Sequence, residues 1–340
     1  LGKDKVTYTL SRAAGEKEGT YAITPSGEAD QGNYTVTYRP GTLTITAQSI
    51  VPEDPSYRGI QINDPSDHEY DAQEHKWEPT VADKEGNELT EGTDYTVSYD
   101  TENFVDVKTI KVTITGKGNY NGTVTKTYRI TPAPVTVTAA NKSKTFGDKD
   151  PELTADVTGL YGTDTVEYTL SRESGENVGT YTITASGEAD QGNYTVNYCP
   201  GKLTITKKGT LTVTGTPYEG TYDGNDHGSV ASASVTEGTT ISYKVGEEDW
   251  TTTAPTIREV GSKSVKVKAE NPNYETAEAE YTLIVSPKQV TVTAENKSKV
   301  YGDEDPELTA TESGLLGKDK VTYTLSRAAG EKEGTYAITP

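Results

Sequence analysis

Short runs of alternating apolar and polar residues recur along the whole chain. Examples are VTYTL, YTVTY, KVTIT, VTVTA and VKVKA, in which β-branched or aromatic residues occupy every second position. A period of two places the apolar side chains on one face of a strand and the polar ones on the other. Clusters such as Ser-Gly, Pro-Gly, Asn-Gly and Asp-Gln-Gly-Asn separate the runs, and such residues favour turns. No stretch carries an apolar period of about 3.6 over three helical turns, so the pattern predicts an all-β protein.

Long stretches of the sequence return at fixed distances. Residues 1–25 and 316–340 are identical at a shift of 315 residues. Inside this period, residues 135–155 are similar to residues 290–310 at a shift of 155, and a second similar pair lies at a shift of 160. The shifts of 155 and 160 residues add up to 315, so one period contains two copies of the same module, which we call type one. Self-similarity of this kind is typical of a tandem array.

Two module types alternate along the chain. Each type-two module opens with a Tyr-Asp turn and closes with a strand that follows an Asn-Tyr pair. Prolines in the short connections, such as Pro132 and Pro287, favour extended, semi-rigid joints. We therefore predict an elongated tandem array of small β-sandwich (Ig-like) or β-grasp-like modules joined by short linkers. The predicted segments are the C-terminal part of a type-one module at 1–46, a type-two module at 51–131, a complete type-one module at 134–206, a second type-two module at 210–286, and the N-terminal part of the next type-one module at 290–340.

Composition narrows the classes of function. Only 31% of the 340 residues are hydrophobic, and 23 Tyr carry most of the aromatic content, which suits many small modules with thin cores because Tyr keeps its hydroxyl in water. The net charge of −20 argues against nucleic acid and anionic membrane surfaces as partners. No run of about 18 apolar residues is present, so we expect no membrane insertion. The single cysteine, Cys199, excludes an internal disulfide framework.

The motif Gly-Asp-x-Asp-Pro-Glu is the candidate metal site. Alternate carboxylates in an extended loop suit Ca²⁺, which takes about six to eight oxygen ligands. The alternative, which we favour, is a turn in which the first Asp binds its own backbone and the Pro directs the next strand. Calcium is the only cofactor that the sequence suggests. The candidate ligands are Asp148, Asp150 and Glu152 in one copy and Asp303, Asp305 and Glu307 in the other.

Two His-Asp pairs invite a catalytic interpretation. His75 lies four residues after Asp71, and His227 lies four residues after Asp223. No Ser or Cys near either pair stands in a plausible nucleophile elbow. We therefore predict that each imidazole binds its Tyr-Asp turn, and we predict no catalytic residue in the chain.

Three further features have a structural and a functional interpretation. The segment GEADQGNY occurs identically in both type-one copies and is either a polar binding loop or a tight turn that needs positive φ at Gly32 and Gly192. Cys199 takes the place of an Arg in the sister copy, so we expect it to face solvent. Trp77 and Trp250 either pack in small cores or stack on sugar rings, and we favour packing.

The type-one text resembles a known family. It reads VTVTAxNKSKxYGDxDPELTA and then GLxGxDxVxYTLSRxxGExxGTYxITxSGEADQGNYTVxYxPGxLTIT, which is similar to the MBG-type modules of bacterial surface adhesins. The type-two modules resemble the YDG-type and Ig-like repeats that accompany them, although Asp71 is followed by Ala where the pattern has Gly. The resemblance implies an extracellular bacterial protein, attached to the cell wall, with small β domains and no catalytic activity.

Two functions stay open at this stage. The first is a stalk that projects a distal binding region from the bacterial surface, with regions outside this sequence providing the attachment to the cell wall. The second is a set of binding modules whose weak contacts with host glycans, mucin or matrix proteins gain avidity by repetition. Neither needs a residue that acts only once in the array.

Overall fold

A computed structural model describes residues 4–340. Every helix or strand element in this range is a β-strand, which confirms the predicted all-β class. The alternation of the sequence is visible as alternating burial, for example in β14 (Ala133–Ala139), where every second side chain is buried. Val and Ile occupy the buried positions because β-branched side chains fit the pleated surface. No helix in residues 4–340 is long and apolar enough to cross a membrane.

The strands fall into five groups along the sequence. Residues 4–46 contain β1 (Thr9–Arg12), β2 (Gly19–Ser26), β3 (Asp30–Gln31), β4 (Tyr34–Thr35) and β5 (Gly41–Ile45). The second group is β6 (Gln48–Ser49), β7 (Gln61–Ile62), β8 (His68–Glu69), β9 (Val81–Ala82), β10 (Tyr95–Tyr99), β11 (Lys108–Gly116), β12 (Tyr120–Asn121) and β13 (Thr123–Thr131). The third is β14, β15 (Lys142–Thr145), β16 (Ala155–Thr158), β17 (Thr169–Arg172), β18 (Gly179–Ser186), β19 (Asp190–Gln191), β20 (Tyr194–Cys199) and β21 (Gly201–Thr206). The fourth is β22 (Val213–Thr214), β23 (Tyr218–Thr221), β24 (His227–Gly228), β25 (Ser232–Ala233), β26 (Thr240–Val245), β27 (Thr256–Ile257), β28 (Gly261–Glu270) and β29 (Ala277–Ser286), and the fifth is β30 (Thr291–Ala294), β31 (Ala310–Ser313), β32 (Ser326–Arg327) and β33 (Ile338–Thr339).

The chain divides into two compact units. This division runs through residues 134–206, so the predicted module boundaries stay a prediction. Within the described residues, the first unit covers 4–140, Leu153–Arg172 and Thr182–Gly201, and the second covers Asn141–Glu152, Glu173–Tyr181 and Lys202–Pro340.

In the first unit, residues 48–131 form a sandwich around β11 and β13. The larger sheet has the order β10-β11-β13-β8, with β8 parallel to β13 and the other neighbours antiparallel. Two short pairs, β7 with β9 and β6 with β12, complete the module. Ile110, Val112 and Ile114 of β11 are fully buried, as are Tyr128 and Ile130 of β13. β11 and β13 are therefore the main contributors to this core, to which Ile50 and Val81 also belong.

The same unit contains one sheet of the complete type-one copy. Its order is β16-β14-β20-β19, and β14 runs parallel to β20. Val135 and Val137 of β14 and Tyr194 and Val196 of β20 are buried. β17 and β18 pair antiparallel in this unit.

In the second unit, β15 runs parallel to β21, where Leu203 and Ile205 are buried. Residues 210–286 form a sandwich with a larger sheet of order β23-β29-β28-β26 and two short pairs, β22 with β25 and β24 with β27. Val213, Tyr243, Ile257, Val267 and Leu283, from five different strands, meet in one core cluster. The arrangement is an array of β-sandwich modules.

Residues 4–46 and 290–340 are less well buried than the similar residues within 134–206. In residues 4–46, Leu43 is 37% exposed and Tyr34 is 44% exposed, whereas their counterparts Leu203 and Tyr194 are 0% and 3% exposed. In residues 290–340, Tyr301 is 77% exposed. The same residue types are therefore buried in residues 134–206 and exposed in the two end segments.

Candidate functional site at the module joints

Asn193 holds together the joint between residues 51–131 and the following type-one module. Its side-chain Oδ1 accepts a hydrogen bond of 2.9 Å from the backbone N–H of Val107, and its Nδ2 donates to Asp106 Oδ1 at 2.9 Å. Its backbone carbonyl accepts the N–H of Ala133, the linker residue at which β14 begins, at 3.0 Å. One residue thus binds the previous module and the linker at once. The hydrogen bond from Asn193, followed by the one from Asn103, lowers the pKa of Asp106 below its usual value.

An aromatic contact lies beside this asparagine. The ring of Tyr70, which follows β8, meets the ring of Tyr194 edge to face, with centroids 5.3 Å apart. Both hydroxyls donate to Asp164 Oδ2, at 2.9 Å from Tyr70 and 2.6 Å from Tyr194. Burial, and after it the hydrogen bond to Asp164, raises the pKa of Tyr194 to about 12 and raises that of Tyr70. Both phenols are therefore fixed as neutral donors to one carboxylate.

The second unit repeats the arrangement at the next joint with Asn273. Its Oδ1 accepts the backbone N–H of Val178 at 2.8 Å, and its Nδ2 donates to Asn177 Oδ1 at 2.9 Å. Its carbonyl accepts the N–H of Lys208 in the linker at 3.0 Å. The neutral Asn177 takes the place that Asp106 holds at the previous joint.

The aromatic partner is also repeated. Phe146 follows β15 as Tyr70 follows β8, and its ring lies 5.7 Å from that of Tyr274, edge to face. Edge-to-face pairs of this kind add roughly 0.5–1.5 kcal/mol to the burial of their rings. An aromatic residue after a strand near the start of one module thus meets the tyrosine of the Asn-Tyr pair in the next.

A third asparagine occupies the joint between residues 4–46 and residues 51–131. Asn119 Oδ1 accepts the N–H of Glu18 at 2.9 Å, and its carbonyl accepts the N–H of Gln48 at 2.9 Å. We call Asn119, Asn193 and Asn273, with their bonds to the previous module and the linker, the Asn clasps. Each clasp belongs to an Asn-Tyr pair, which the sequence marked only as a feature near the last strand.

A tight turn presents the clasp asparagine. Gly192 has φ 65° and Gly32 has φ 68°, which confirms the predicted positive φ in the segment GEADQGNY. Gly118, before Asn119, has φ 65° as well, and such values favour glycine over residues with a Cβ atom. The recurring Asn-Tyr pair after a turn was the signal that a search for joint residues needed.

In the complete copy, one predicted calcium ligand, Asp150, forms an ion pair with a lysine. Lys144 Nζ lies 2.7 Å from Asp150 Oδ1 and 2.5 Å from Glu176 Oε2, and it donates to the backbone carbonyl of Asp148 at 3.1 Å. The hydrogen bonds to Asp150 and then Glu176 raise the pKa of Lys144. Asp148 donates its N–H to the carbonyl of Thr145 at 3.0 Å, so the motif forms a turn.

The second copy keeps these ion pairs. Asp305 lies 2.7 Å from Lys299 Nζ and 2.6 Å from Arg327 Nε. The bonds from Arg327 and then Lys299 lower its pKa to about 2. Glu152 and Glu307 are exposed. Among residues 4–340, no three carboxylate, imidazole or thiol groups are placed to share a metal ion, and the calcium site stays a prediction.

Both His-Asp pairs form as the turn interpretation predicted. His75 Nε2 lies 2.8 Å from Asp71 Oδ1, and His227 Nε2 lies 2.7 Å from Asp223 Oδ1. The bond from His227, followed by bonds from Asn225, lowers the pKa of Asp223 to about 2. The pairs are components of the turns after β8 and β23.

The remaining predicted residues differ in part from expectation. We expected Cys199 to face solvent. It is half-buried instead, because its strand, β20, is paired with β14. Trp77 is half-buried, as its packing role requires, and its indole nitrogen has no hydrogen-bond partner among the described residues. Trp250 is 37% exposed, and Lys268 Nζ lies 4.9 Å from its ring centroid. Packing is therefore wrong as a description of Trp250.

The fold and its joints define a protein made of repeated β-sandwich modules. Residues 1–44, 135–204 and 290–340 match the family model of the MBG domain (YGX type). The matches support MBG repeat modules at the three places where the sequence resembles that family. No curated protein gives a significant match to the chain.

Several solved structures of tandem domains are similar. They include titin domains I67–I69 (13% identity, 83% of this chain and 98% of that chain, TM-score 0.27), Drosophila OTK extracellular domains 3–5 (11%, 72% and 100%, 0.28), and Drosophila N-cadherin EC1–4 (10%, 66% and 78%, 0.22). The superpositions are loose at these scores, so the fold assignment depends on the strand pairing described above.

Proposed function

We propose that this chain is part of the repetitive extracellular stalk of a bacterial surface adhesin, with MBG modules alternating with YDG-type or Ig-like modules. In this role it holds a distal binding region away from the cell wall and needs no catalytic residue. The observation that carries the proposal is the recurrence of the Asn clasp at three successive joints. A spacer must keep its modules in a fixed orientation, and a clasp that binds both the linker and the previous module supports such an orientation at these three joints.

The charge of the chain supports the same role. With a net charge of −20, neighbouring stalks repel each other and stay soluble. Thr, Lys and Glu on the exposed faces of the strands oppose lateral pairing between stalks. These features suit a dense layer of identical molecules on a surface.

A distance measurement across one joint tests the spacer role. The full chain carries Cys199→Ser, with cysteines for spin labels at the exposed positions Ser98 and Thr184. We expect a narrow distribution of label distances in this protein and a broad one after Asn193→Ala. Asn33→Ala is the matched control, because it alters the same Asn-Tyr pair in the first half-module, away from this joint. A broad distribution before any clasp substitution would refute the spacer with fixed joints.

The alternative is a multivalent binder of host glycans, mucin or matrix proteins, and Trp250 favours it. An exposed indole can stack on a sugar ring, although Lys268 already lies over this one. Binding of the full chain to a glycan array, lost on Trp250→Ala, would support this function. Absence of binding at high concentration would leave the spacer role alone.

A further inference from the structure

The opening and closing strands of each module run parallel to their partners. In residues 48–131 these pairs are β6 with β12 and β8 with β13. In residues 134–206, β14 pairs with β20 in the first unit and β15 pairs with β21 in the second. In residues 210–286, Thr210 pairs with Glu275 and β23 pairs with β29. We call these pairs the parallel clamps.

Parallel pairing decides how a module responds to a pull on its two ends. The opening strand is pulled at its start, and the closing strand is pulled at its end. When the partner strand runs parallel, the pull lies along both strands, and every hydrogen bond of the ladder carries load at the same time. An antiparallel hairpin pulled at its two open ends would instead lose its bonds one after another. Shear across a whole ladder needs a larger force than such peeling.

The closing bond of each clamp is the same in all three modules. The N–H of Tyr70 donates to the carbonyl of Thr131, that of Phe146 to Thr206, and that of Tyr222 to Ser286, each at 2.8 Å. The rings of Tyr70 and Phe146 are also the aromatic partners at the joints. The last bond of a clamp and the contact with the next module thus share one residue.

From this geometry we propose that the modules bear tensile load and that the parallel clamps are the elements that resist it. The proposal goes beyond the spacer role, which supplies the origin of the load, but the clamps act in any chain that is pulled at its ends. The lengths of the parallel clamps predict the order of the unfolding forces of the three modules. Residues 134–206 have clamps of six and four residue pairs, against two and two in residues 48–131 and one and four in residues 210–286.

The half-modules predict the opposite behaviour. The strand pairs described in residues 4–46 and 290–340 are antiparallel. Without a parallel clamp they open at low force. They therefore serve as an internal reference in the same molecule.

Single-molecule force spectroscopy of the 340-residue chain, held at its two ends, tests the proposal. We expect three high-force events, each releasing roughly 70–80 residues at about 3.5 Å per residue. The strongest event belongs to residues 134–206 and the half-modules open earlier. Three events at the low force of the half-modules would overturn the proposal.

Asn197→Pro assigns the strongest event. Asn197 is exposed and lies opposite Thr136 in β14, so proline there removes an amide hydrogen from the clamp strand without disturbing the core. We expect this variant to raise the unfolding rate of that event at constant force about fivefold, the factor for one lost hydrogen bond. Ile183→Val is the matched control, because it thins the core in β18, outside the clamps, and lowers equilibrium stability by a comparable amount. A fivefold effect of the control, or none of Asn197→Pro, would contradict the role of the clamp.

The direction of pulling gives a test that needs no destabilising substitution. With Cys199→Ser, handles on cysteines at Thr169 and Ser186 peel the antiparallel pair of β17 and β18. We expect a clearly lower force than for pulling at the chain ends, and equal forces would overturn the proposal. Such a failure leaves the spacer role standing, whereas broad label distances at the joints remove the spacer role and leave the clamps.

Discussion

The Asn clasp of the second joint makes one measurable prediction about a single amide. In the wild type, the N–H of Val107 is bound by the side chain of Asn193, 86 residues away in the sequence. Asn193→Ala removes this acceptor and leaves the bond between the carbonyl of residue 193 and Ala133 in place. Hydrogen exchange at Val107, followed by NMR, therefore reports the clasp directly.

The expected fall in the opening free energy at Val107 is worked out from the two hydrogen bonds of the Asn193 side chain. The bond from Val107 is a neutral one, worth about 0.5–1.5 kcal/mol, and the bond from Asn193 to the Asp106 carboxylate has a charged acceptor, worth about 1.5–3 kcal/mol. Val107 and Asp106 are half-buried, so water replaces part of what is lost. We expect the opening free energy at Val107 to fall by about 1–2 kcal/mol, which corresponds to roughly 5–30-fold faster exchange.

The other joints provide internal controls. The amides of Glu18 and Val178 are bound by Asn119 and Asn273 and keep their protection in Asn193→Ala. Unchanged exchange at Val107 would refute the clasp. Equal acceleration at all three amides would mean that the substitution unfolds the chain more widely, and the reasoning about a local clasp would fail.

The effect has a defined pH dependence. The bond from Asn193 is the largest cause that lowers the pKa of Asp106 from 3.8. A carboxyl group with a lowered pKa stabilises the folded state above its unfolded pKa and loses this effect as the pH falls through its folded pKa. We therefore expect the difference between wild type and Asn193→Ala to shrink below a pH of about 3.8.

Three further predictions concern burial and ionisation. Leu203→Ala, at a fully buried site, should lower the free energy of unfolding by about 2–5 kcal/mol. Leu43→Ala, at the matching exposed position, should lower it by less than about 1 kcal/mol. Hydrogen exchange of the two segments compares the losses, and equal losses would show that residues 4–46 are as well packed as residues 134–206. The carboxyl of Asp223 should titrate by NMR with a pKa of about 2, and His227→Ala should move this pKa towards 3.8, since the imidazole is its main partner; an unmoved pKa would exclude that cause. Burial raises the pKa of Tyr194 to about 12. The neutral phenol therefore stabilises the folded state below the unfolded pKa of 10.0, and this stabilisation is lost as the pH rises through about 12. Phenolate absorbance should show this late titration, and ionisation of Tyr194 together with the exposed tyrosines would contradict its burial.

The calcium motif shows where sequence reasoning reached its limit. The short spacing of Asp148, Asp150 and Glu152 places them in one loop. Such a local group can be recognised from the sequence. Lys144 and Glu176, which complete the ion-pair cluster, are 32 residues apart. Two ions of opposite charge so far apart in sequence are brought together by pairing of strands, and no local pattern encodes that contact.

Trp250 is a similar case on the surface. Its neighbours in sequence were typical of the start of a strand, and packing was predicted on that ground. Lys268, on the long strand β28, lies over the ring instead. The exposed fraction of a side chain depends on what the opposite strand brings, so the sequence around Trp250 alone was insufficient.

The strands, the turns and the repetition can all be predicted from the amino-acid sequence. Alternating residues gave the buried face of β11 and β14, and glycine gave the positive φ of Gly192, because these features depend on neighbours one to four residues away. The parallel pairing of the opening and closing strands and the binding of Asn193 across a joint become visible only in the folded protein. A half-buried strand has the same period of two in parallel and antiparallel pairs, and an asparagine amide can bind any backbone group that the fold places within about 3 Å.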